Sequence, residues 1–254
     1  MNNPDSILLP DWPAPASVGA LCTTRIGGFS EAPFASNNLA LHVGDNPERV
    51  ARNRQQLADL CDWGTTPQWL EQIHGVKVVR AKSDGLVRTA DACYTDAAKL
   101  PCAVLTADCL PVLVCDLAGK EVAAIHAGWR SLARGILPRA IDRFSASASS
   151  LMAWLGPAIG PQRFEVGVDV LEAFFKHAKN DSNTDAIAAA MRPAKRPLHF
   201  YADLYALARA SLSASGVSRV YGGGWCTYED QQRFYSYRRD GKNTGRMASV
   251  IWRR

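Results

Sequence analysis

Residues 103–126 read AVLTADCLPVLVCDLAGKEVAAIH, and this stretch decides the fold. Residues 103–106 and 112–116 are apolar runs of strand length. Residues 122–126 form a third run, joined to the second through Ala118-Gly119-Lys120, which predicts a hairpin. Between the first two runs the chain turns polar at Asp108-Cys109. A hairpin here breaks the strand–helix–strand alternation that a parallel α/β sheet requires.

Toward the C-terminus, residues 131–147 carry Leu132, Ile136, Ala140 and Phe144 on one helical face, and Pro138 predicts a kink or break inside that helix. Leu151–Leu155 is a strand ended by Gly156-Pro157. Residues 168–178 read as a helix, and the polar, Ala-rich residues 179–196 as the mobile region. Residues 203–213 read as a helix with Asp203 near its start. Residues 217–221 form a strand broken by Gly222-Gly223-Gly224, and residues 248–252 are the last strand. Toward the N-terminus, residues 76–81 read as a strand. Asn46-Pro47-Glu48 supplies a cap, a first-position proline and a first-turn acid, so a helix runs to about Cys61 or Asp62. Residues 18–24 form a strand stopped by Gly27-Gly28. Pro10, Pro13 and Pro15 mark residues 1–16 as an irregular lead-in. The expectation is α+β: one domain over residues 1–254, with mixed β-sheets flanked by helices. No G-x-G-x-x-G opens a helix after a strand, which argues against a dinucleotide site.

The 254 residues are 47% hydrophobic and 21% charged, enough to bury a core without a structural metal. A metal here would therefore serve chemistry. The net charge of +5 is mild and the basic residues are scattered, so nucleic acid is not an expected partner. The absence of a signal peptide and of a long apolar span predicts a cytoplasmic protein with no membrane partner. The seven cysteines are odd in number and lack C-x-x-C spacing, which predicts free thiols rather than a disulfide framework or zinc ribbon.

Among five histidines, two stand out. His74 is followed at once by Gly75, and His126 ends an apolar strand before Ala127-Gly128. Cys109 lies in the polar interruption between two strands. Each alone reads more readily as a structural His or a core Cys. Their separations match no compact zinc-finger pattern, although three mixed Cys and His ligands suit a catalytic zinc.

Five segments together resemble the laccase-domain family of bacterial YfiH type, also called the purine nucleoside phosphorylase or polyphenol oxidase family. They are Thr23-Thr24-Arg25-Ile26-Gly27-Gly28, Gln72-Ile73-His74-Gly75, Thr106-Ala107-Asp108-Cys109-Leu110-Pro111, His126-Ala127-Gly128-Trp129-Arg130, and Phe234-Tyr235-Ser236-Tyr237-Arg238-Arg239-Asp240-Gly241 followed by Thr244-Gly245-Arg246. Asn38-Leu39, His42-Val43-Gly44-Asp45, Ala90-Asp91-Ala92 and residues 156–161 match as well. The resemblance implies a fold like that of a bacterial toxin (CNF) cysteine hydrolase. It implies one zinc held by His74, Cys109 and His126, with copper as a possible substitute. It also implies phosphorolysis of adenosine, inosine, guanosine and methylthioadenosine, adenosine deamination, and in some members editing of peptidoglycan precursors.

These activities set demands on the chain. Phosphate is held well by the planar fork of arginine, which makes Arg25, Arg130, Arg238, Arg239 and Arg246 candidates. Asn38, Asp91 and Ser236 are candidates for ribose or base, and Asp108 or Asp91 for proton transfer. Five histidines are too few for a blue-copper centre plus a further copper cluster, since His177 and His199 sit in unremarkable settings. A multicopper laccase is therefore rejected. Two other readings stay open. Cys109 can be a nucleophile with His126 as its base, in an amidase acting on a cell-wall precursor. Or the chain is a partner protein with a vestigial metal site.

Overall fold

The computed structural model describes residues 4–61, 63–178 and 181–254. The expected hairpin is its centre: Leu110–Asp116 pairs antiparallel with Val122–Ala127, from Leu110↔Ala127 to Cys115↔Val122. Around it runs a six-stranded mixed sheet in the order Arg219–Gly222, Leu151–Leu155, Leu110–Asp116, Val122–Ala127, Ala92–Thr95, Val78–Arg80. The outermost pairs are parallel and the inner ones antiparallel. Cys102–Thr106 instead joins an antiparallel sheet ordered Ile7–Leu8, Val18–Thr23, Met247–Arg253, Cys102–Thr106. The chain thus changes sheets at Ala107-Asp108-Cys109. Asp108 makes the change at φ 87°, a left-handed backbone that non-glycine residues seldom adopt.

The strand pleat sorts the core into layers. Leu110, Val112 and Val114 pack with Ile136, Leu137 and Leu207 from the helices. Leu113 and Cys115 point the other way, to Cys102, Val104 and Ile251 of the small sheet. The far face of the small sheet, through Leu105 and Val250, packs on Leu57 of the helix Pro47–Cys61. The order is helix, sheet, sheet, helix. A strand covered on both faces reads as an unbroken apolar run, and every residue of Leu110–Asp116 is buried. Each such large side chain contributes about 1.5–3 kcal/mol. The class is α+β with mixed sheets, as expected.

Two expectations need correction. The helix over 131–147 is two helices, Trp129–Ala133 and Ile136–Ile141. The break falls at Gly135, whose φ of 83° ends one helix and caps the next. Pro138 sits in the first turn of the second helix, where its missing N–H costs nothing. Within the polar stretch that follows, Asp181–Ala189 is helical and Met191–Pro193 is a strand, with Ile187, Ala190 and Met191 buried. That strand pairs with His199–Ala202, which pairs with Glu165–Gly167 in a small three-stranded sheet. Lys179 and Asn180 lie outside the described residues, as do Asp62 and residues 1–3 of the lead-in. Within residues 4–16, Ile7–Leu8 is a short strand. Among the described residues no helix is long and apolar enough to cross a membrane.

Candidate functional site

The site lies at one end of the large sheet. Cys109 directly precedes Leu110–Asp116, and His126 is the next-to-last residue of the neighbouring strand Val122–Ala127. His74 comes from the loop before Val78–Arg80. The ligand atoms of His74, Cys109 and His126 all lie within 4.8 Å of one another, the one such group among the described residues. Cys109 Sγ is 3.8 Å from His74 Nε2, and the two imidazoles sit edge to face with centroids 4.9 Å apart. Bonds of about 2.0–2.1 Å to nitrogen and 2.3 Å to sulfur set tetrahedral N and S ligand atoms about 3.3–3.6 Å apart. The triangle, with every pair within 4.8 Å, is a little wider than that.

Two devices hold it. The first is Asp91, which is fully buried beside His126, itself 3% exposed. Asp91 Oδ1 accepts from His126 Nδ1–H at 2.8 Å and from the His74 backbone N–H at 2.9 Å. Its Oδ2 accepts from the N–H groups of Gly75 at 2.6 Å and Ile73 at 3.4 Å. One carboxylate therefore orients the ring of one histidine and the backbone of the other, leaving His126 Nε2 for a ligand role. Gln72 adds a second tie: its amide exchanges two hydrogen bonds with the backbone of Leu105, at 2.8 and 2.7 Å. His74 itself sits at φ 57°. The second device is Gly128. A Cβ there would lie 3.0 Å from Cys109 Sγ, 3.1 Å from His74 Cδ2 and 3.4 Å from His126 Cε1. The missing side chain keeps the centre of the triangle free.

The electrostatics agree with this geometry. Burial opposes charge on Cys109, but His126 and the hydrogen bonds from both rings overcome it and bring the thiol down to about 6. Burial likewise opposes charge on His126, and Cys109 and Asp91 together carry it up to about 9. The thiolate that a metal ligand or a nucleophile requires is stabilised here.

The triangle floors a cavity of about 490 Å³, within the range of small-molecule sites. Its walls carry Trp129, Ile159, Phe164 and Tyr237, and the polar groups of His42, Arg130, Arg238 and Arg246. Of the residues singled out in the sequence, His74, Cys109, His126, Asp108, Arg130, Arg238 and Arg246 meet in this cavity. Both oxygens of Asp108 are engaged, one by the Thr227 hydroxyl at 2.6 Å and one by the Arg238 N–H at 2.6 Å. Its carboxylate ties the cavity wall together rather than standing free as a proton carrier.

Five others do not line the cavity. Asp91 supports the ligands from behind. Arg25 donates to the carbonyls of Ala35 and Gln231 and stacks on Tyr235. Asn38 is buried in a network with Ala40, Asp45 and Arg246. Ser236 caps the helix Tyr237–Asp240. Arg239 donates to the carbonyls of Thr227, Tyr228 and Phe234 and pairs with Asp240. Each is a buried or half-buried polar group spent on the protein's own backbone. Phe164 escaped the sequence reading because nothing near it marks a site; only the fold brings it opposite His74.

The residues fit a metal ion. Two imidazoles and a thiolate, one imidazole oriented by a carboxylate, with a gap where a side chain would stand, are a donor set suited to one ion with an open position. They do not make a copper cluster: His42 stands in the cavity apart from the triangle, and the His199 ring contacts the Pro197 carbonyl at 3.0 Å.

The family described as multi-copper polyphenol oxidoreductase laccase matches residues 19–254. A Pseudomonas aeruginosa protein named purine nucleoside phosphorylase PA4543 is 49% identical over 246 residues, covering 96% of this chain and 97% of its own. Purine nucleoside phosphorylase YfiH of Escherichia coli is 46% identical, covering 97% and 98%. The crystal structure of Neisseria meningitidis protein NMB0706 superposes with a TM-score of 0.91 at 49% identity, covering 98% and 99%. That of YlmD from Geobacillus stearothermophilus gives 0.92 at 31% identity, covering 100% and 98%.

Proposed function

The chain belongs to the multi-copper polyphenol oxidoreductase laccase family, and from that premise we propose that it is a purine nucleoside phosphorylase. It works in the cytoplasm as a single domain, residues 1–254, with one zinc ion at His74, Cys109 and His126. One observation carries the reading. The His–Cys–His triangle floors a cavity lined by arginines and aromatic rings, in a chain alike over nearly its whole length to proteins bearing that name. The seven free thiols support a reducing compartment.

The substrates are adenosine, inosine, guanosine or methylthioadenosine, with inorganic phosphate. Phosphorolysis forms a bond from a phosphate oxygen to the sugar C1′ as the C1′–N9 bond breaks. The electron pair of the broken bond stays on the purine, which takes up the proton brought by hydrogen phosphate. Phe164, Trp129 and Tyr237 offer ring faces to the flat base. Arg130, Arg238 and Arg246 offer the positive charge that an anion requires, and the apolar wall excludes water. Zinc, when bound, supplies a fixed positive charge and Lewis acidity at the cavity floor. Asp91 holds its two histidine ligands in register. Deamination of adenosine to inosine and ammonia at the same centre is the finer part of this proposal.

Incubation of the protein with adenosine and phosphate, followed by chromatography, tests the reading. Adenine and ribose 1-phosphate are expected with wild type and not with His126→Ala. No product from any purine nucleoside would overturn it.

A second reading is favoured by one feature. Cys109, His126 and Asp91 stand in the order of a nucleophile, its base and an orienting carboxylate. This would be an amidase acting on peptidoglycan precursors, with the toxin-like cysteine hydrolase fold. Activity that survives chelation and is lost to a thiol alkylator would select it.

A further inference from the structure

We infer that Arg246, with His42 beside it, forms the end of the cavity that binds inorganic phosphate, and that Asn38 is the residue that positions it. The inference rests on the phosphorylase reading and names the anion subsite within it.

Three arginines reach the cavity and differ in how they are held. Arg130 is exposed, its guanidinium 4.3 Å from the Trp129 ring centroid. Arg238 is exposed too, donating to the Glu165 carbonyl at 2.8 Å and standing 5.4 Å from the Phe164 ring centroid. Both lie along the aromatic wall, and the Arg246 guanidinium likewise stands 5.9 Å from the Tyr237 ring centroid, so what separates the three is exposure and hydrogen bonding. Arg246 is half-buried and donates from Nη1 alone, to the carbonyls of Thr244 at 2.7 Å and Gly245 at 2.9 Å. Among the described residues no carboxylate pairs with it. Burial pushes its pKa down, while Cys109 and Asp108 are near enough to push it back up, which sets it on the metal side of the cavity. Asp108 is near but makes no ion pair with it; its two oxygens accept instead from the Thr227 hydroxyl and the Arg238 N–H. A desolvated cation without a counter-charge is costly until an anion arrives. Nε and Nη2 remain to make the two-pronged contact that phosphate accepts.

His42 lines the same cavity. Burial, Arg246 and Arg54 lower its pKa from the ordinary histidine value, which favours the neutral ring. A neutral imidazole offers one donor and one acceptor, which matches a hydrogen phosphate carrying both.

Asn38 explains how Arg246 is placed. It is fully buried, and its Oδ1 accepts from the Arg246 N–H and the Ala40 N–H, both at 3.0 Å. Its Nδ2 donates to the Ala40 carbonyl and to Asp45 Oδ2. Leu39 N–H returns a bond to the Arg246 carbonyl at 3.3 Å. One amide therefore pins the backbone of Arg246 to the loop that leads to His42.

The test is steady-state kinetics with phosphate and adenosine varied separately, on zinc-loaded protein. Arg246→Gln is expected to raise the KM for phosphate at least tenfold and leave that for adenosine within about twofold. Arg246→Lys keeps the charge without the fork, and is expected to fall between. Arg130→Gln and Arg238→Gln, which remove charge from more exposed positions, are expected to raise the phosphate KM less than Arg246→Gln does. Asn38→Ser is expected to raise the phosphate KM with a smaller change in kcat. Titration calorimetry with inorganic phosphate alone supplies a readout that needs no turnover. If wild type binds phosphate, Arg246→Gln does not, and no nucleoside is turned over, the phosphorylase reading falls and the anion site stands. A phosphate KM unmoved in Arg246→Gln, or a wild type that does not bind phosphate, overturns the inference.

Discussion

The two ends of the central hairpin use the same chemistry to different ends. At the turn end, Asp116 accepts from the N–H groups of Ala118, Lys120 and Glu121. Glu121 accepts from the Tyr94 hydroxyl at 2.6 Å and from the N–H groups of Ser145 and Ala146. At the site end, Asp91 accepts from three N–H groups and one imidazole. Each end also has a cysteine. Cys115 is pushed up to about 12 by burial and by Asp116, whereas Cys109 is brought down to about 6 by its two histidines. A buried carboxylate taking backbone hydrogen bonds is thus not itself a mark of function. What differs is the remainder. The turn end spends both its carboxylates on the fold. The site end leaves a thiolate and two ring nitrogens aimed into a gap that Gly128 keeps free.

That contrast can be broken by substitution. The largest effect is expected from Asp91→Ala, which leaves an imidazole and three backbone donors buried without an acceptor. A loss of about 3–5 kcal/mol in denaturant unfolding is expected, together with loss of the metal. Asp91→Asn keeps the volume and is expected to weaken metal affinity about 10–100-fold, measured by chelator competition. If Asp91→Asn binds metal like wild type, Asp91 is only another turn carboxylate.

Glu121→Gln is expected to cost less, about 1.5–3 kcal/mol, and to leave metal content unchanged. Its pH dependence has a definite sign. Burial opposes the charge on Glu121, but the Tyr94 hydroxyl and the two N–H groups outweigh it and hold the carboxyl below its ordinary value. That stability is present above the unfolded value of about 4.3 and is lost as pH falls through the folded one. The gap between wild type and Glu121→Gln should therefore close as pH falls below about 4.3. A gap that widens would contradict the assignment.

Gly128→Ala is expected to be the smallest, about tenfold in metal affinity at the low end of what neighbouring groups exert. Gly128 has φ −59°, which alanine adopts freely, so stability should barely change. The three atoms nearest such a Cβ, from 3.0 to 3.4 Å away, all belong to the triangle.

Much of this was legible in the chain. Residues 103–126 gave the hairpin because strands buried on both faces read as apolar runs. Asn46-Pro47-Glu48 marked a helix that does begin at Pro47. His74, Cys109 and His126 were found through the order of motifs rather than by spacing. Other features were hidden for physical reasons. The change of sheet at Asp108 depends on a left-handed backbone that residue type alone does not announce. Asp91 and Asn38 carry side chains that suit a substrate, yet burial turned both toward the backbone. Gly135 rather than Pro138 broke the helix, because a proline in a first turn is harmless. Residues 181–193 are polar by composition, and Ile187, Ala190 and Met191 anchor them.

The most direct test is the metal content of protein purified without chelator, measured by mass spectrometry on wild type and on Cys109→Ala shown by circular dichroism to be folded. One zinc per wild-type chain and none in Cys109→Ala is the predicted result. A wild type that turns over nucleoside without metal, or a folded Cys109→Ala that keeps its ion, would contradict the account.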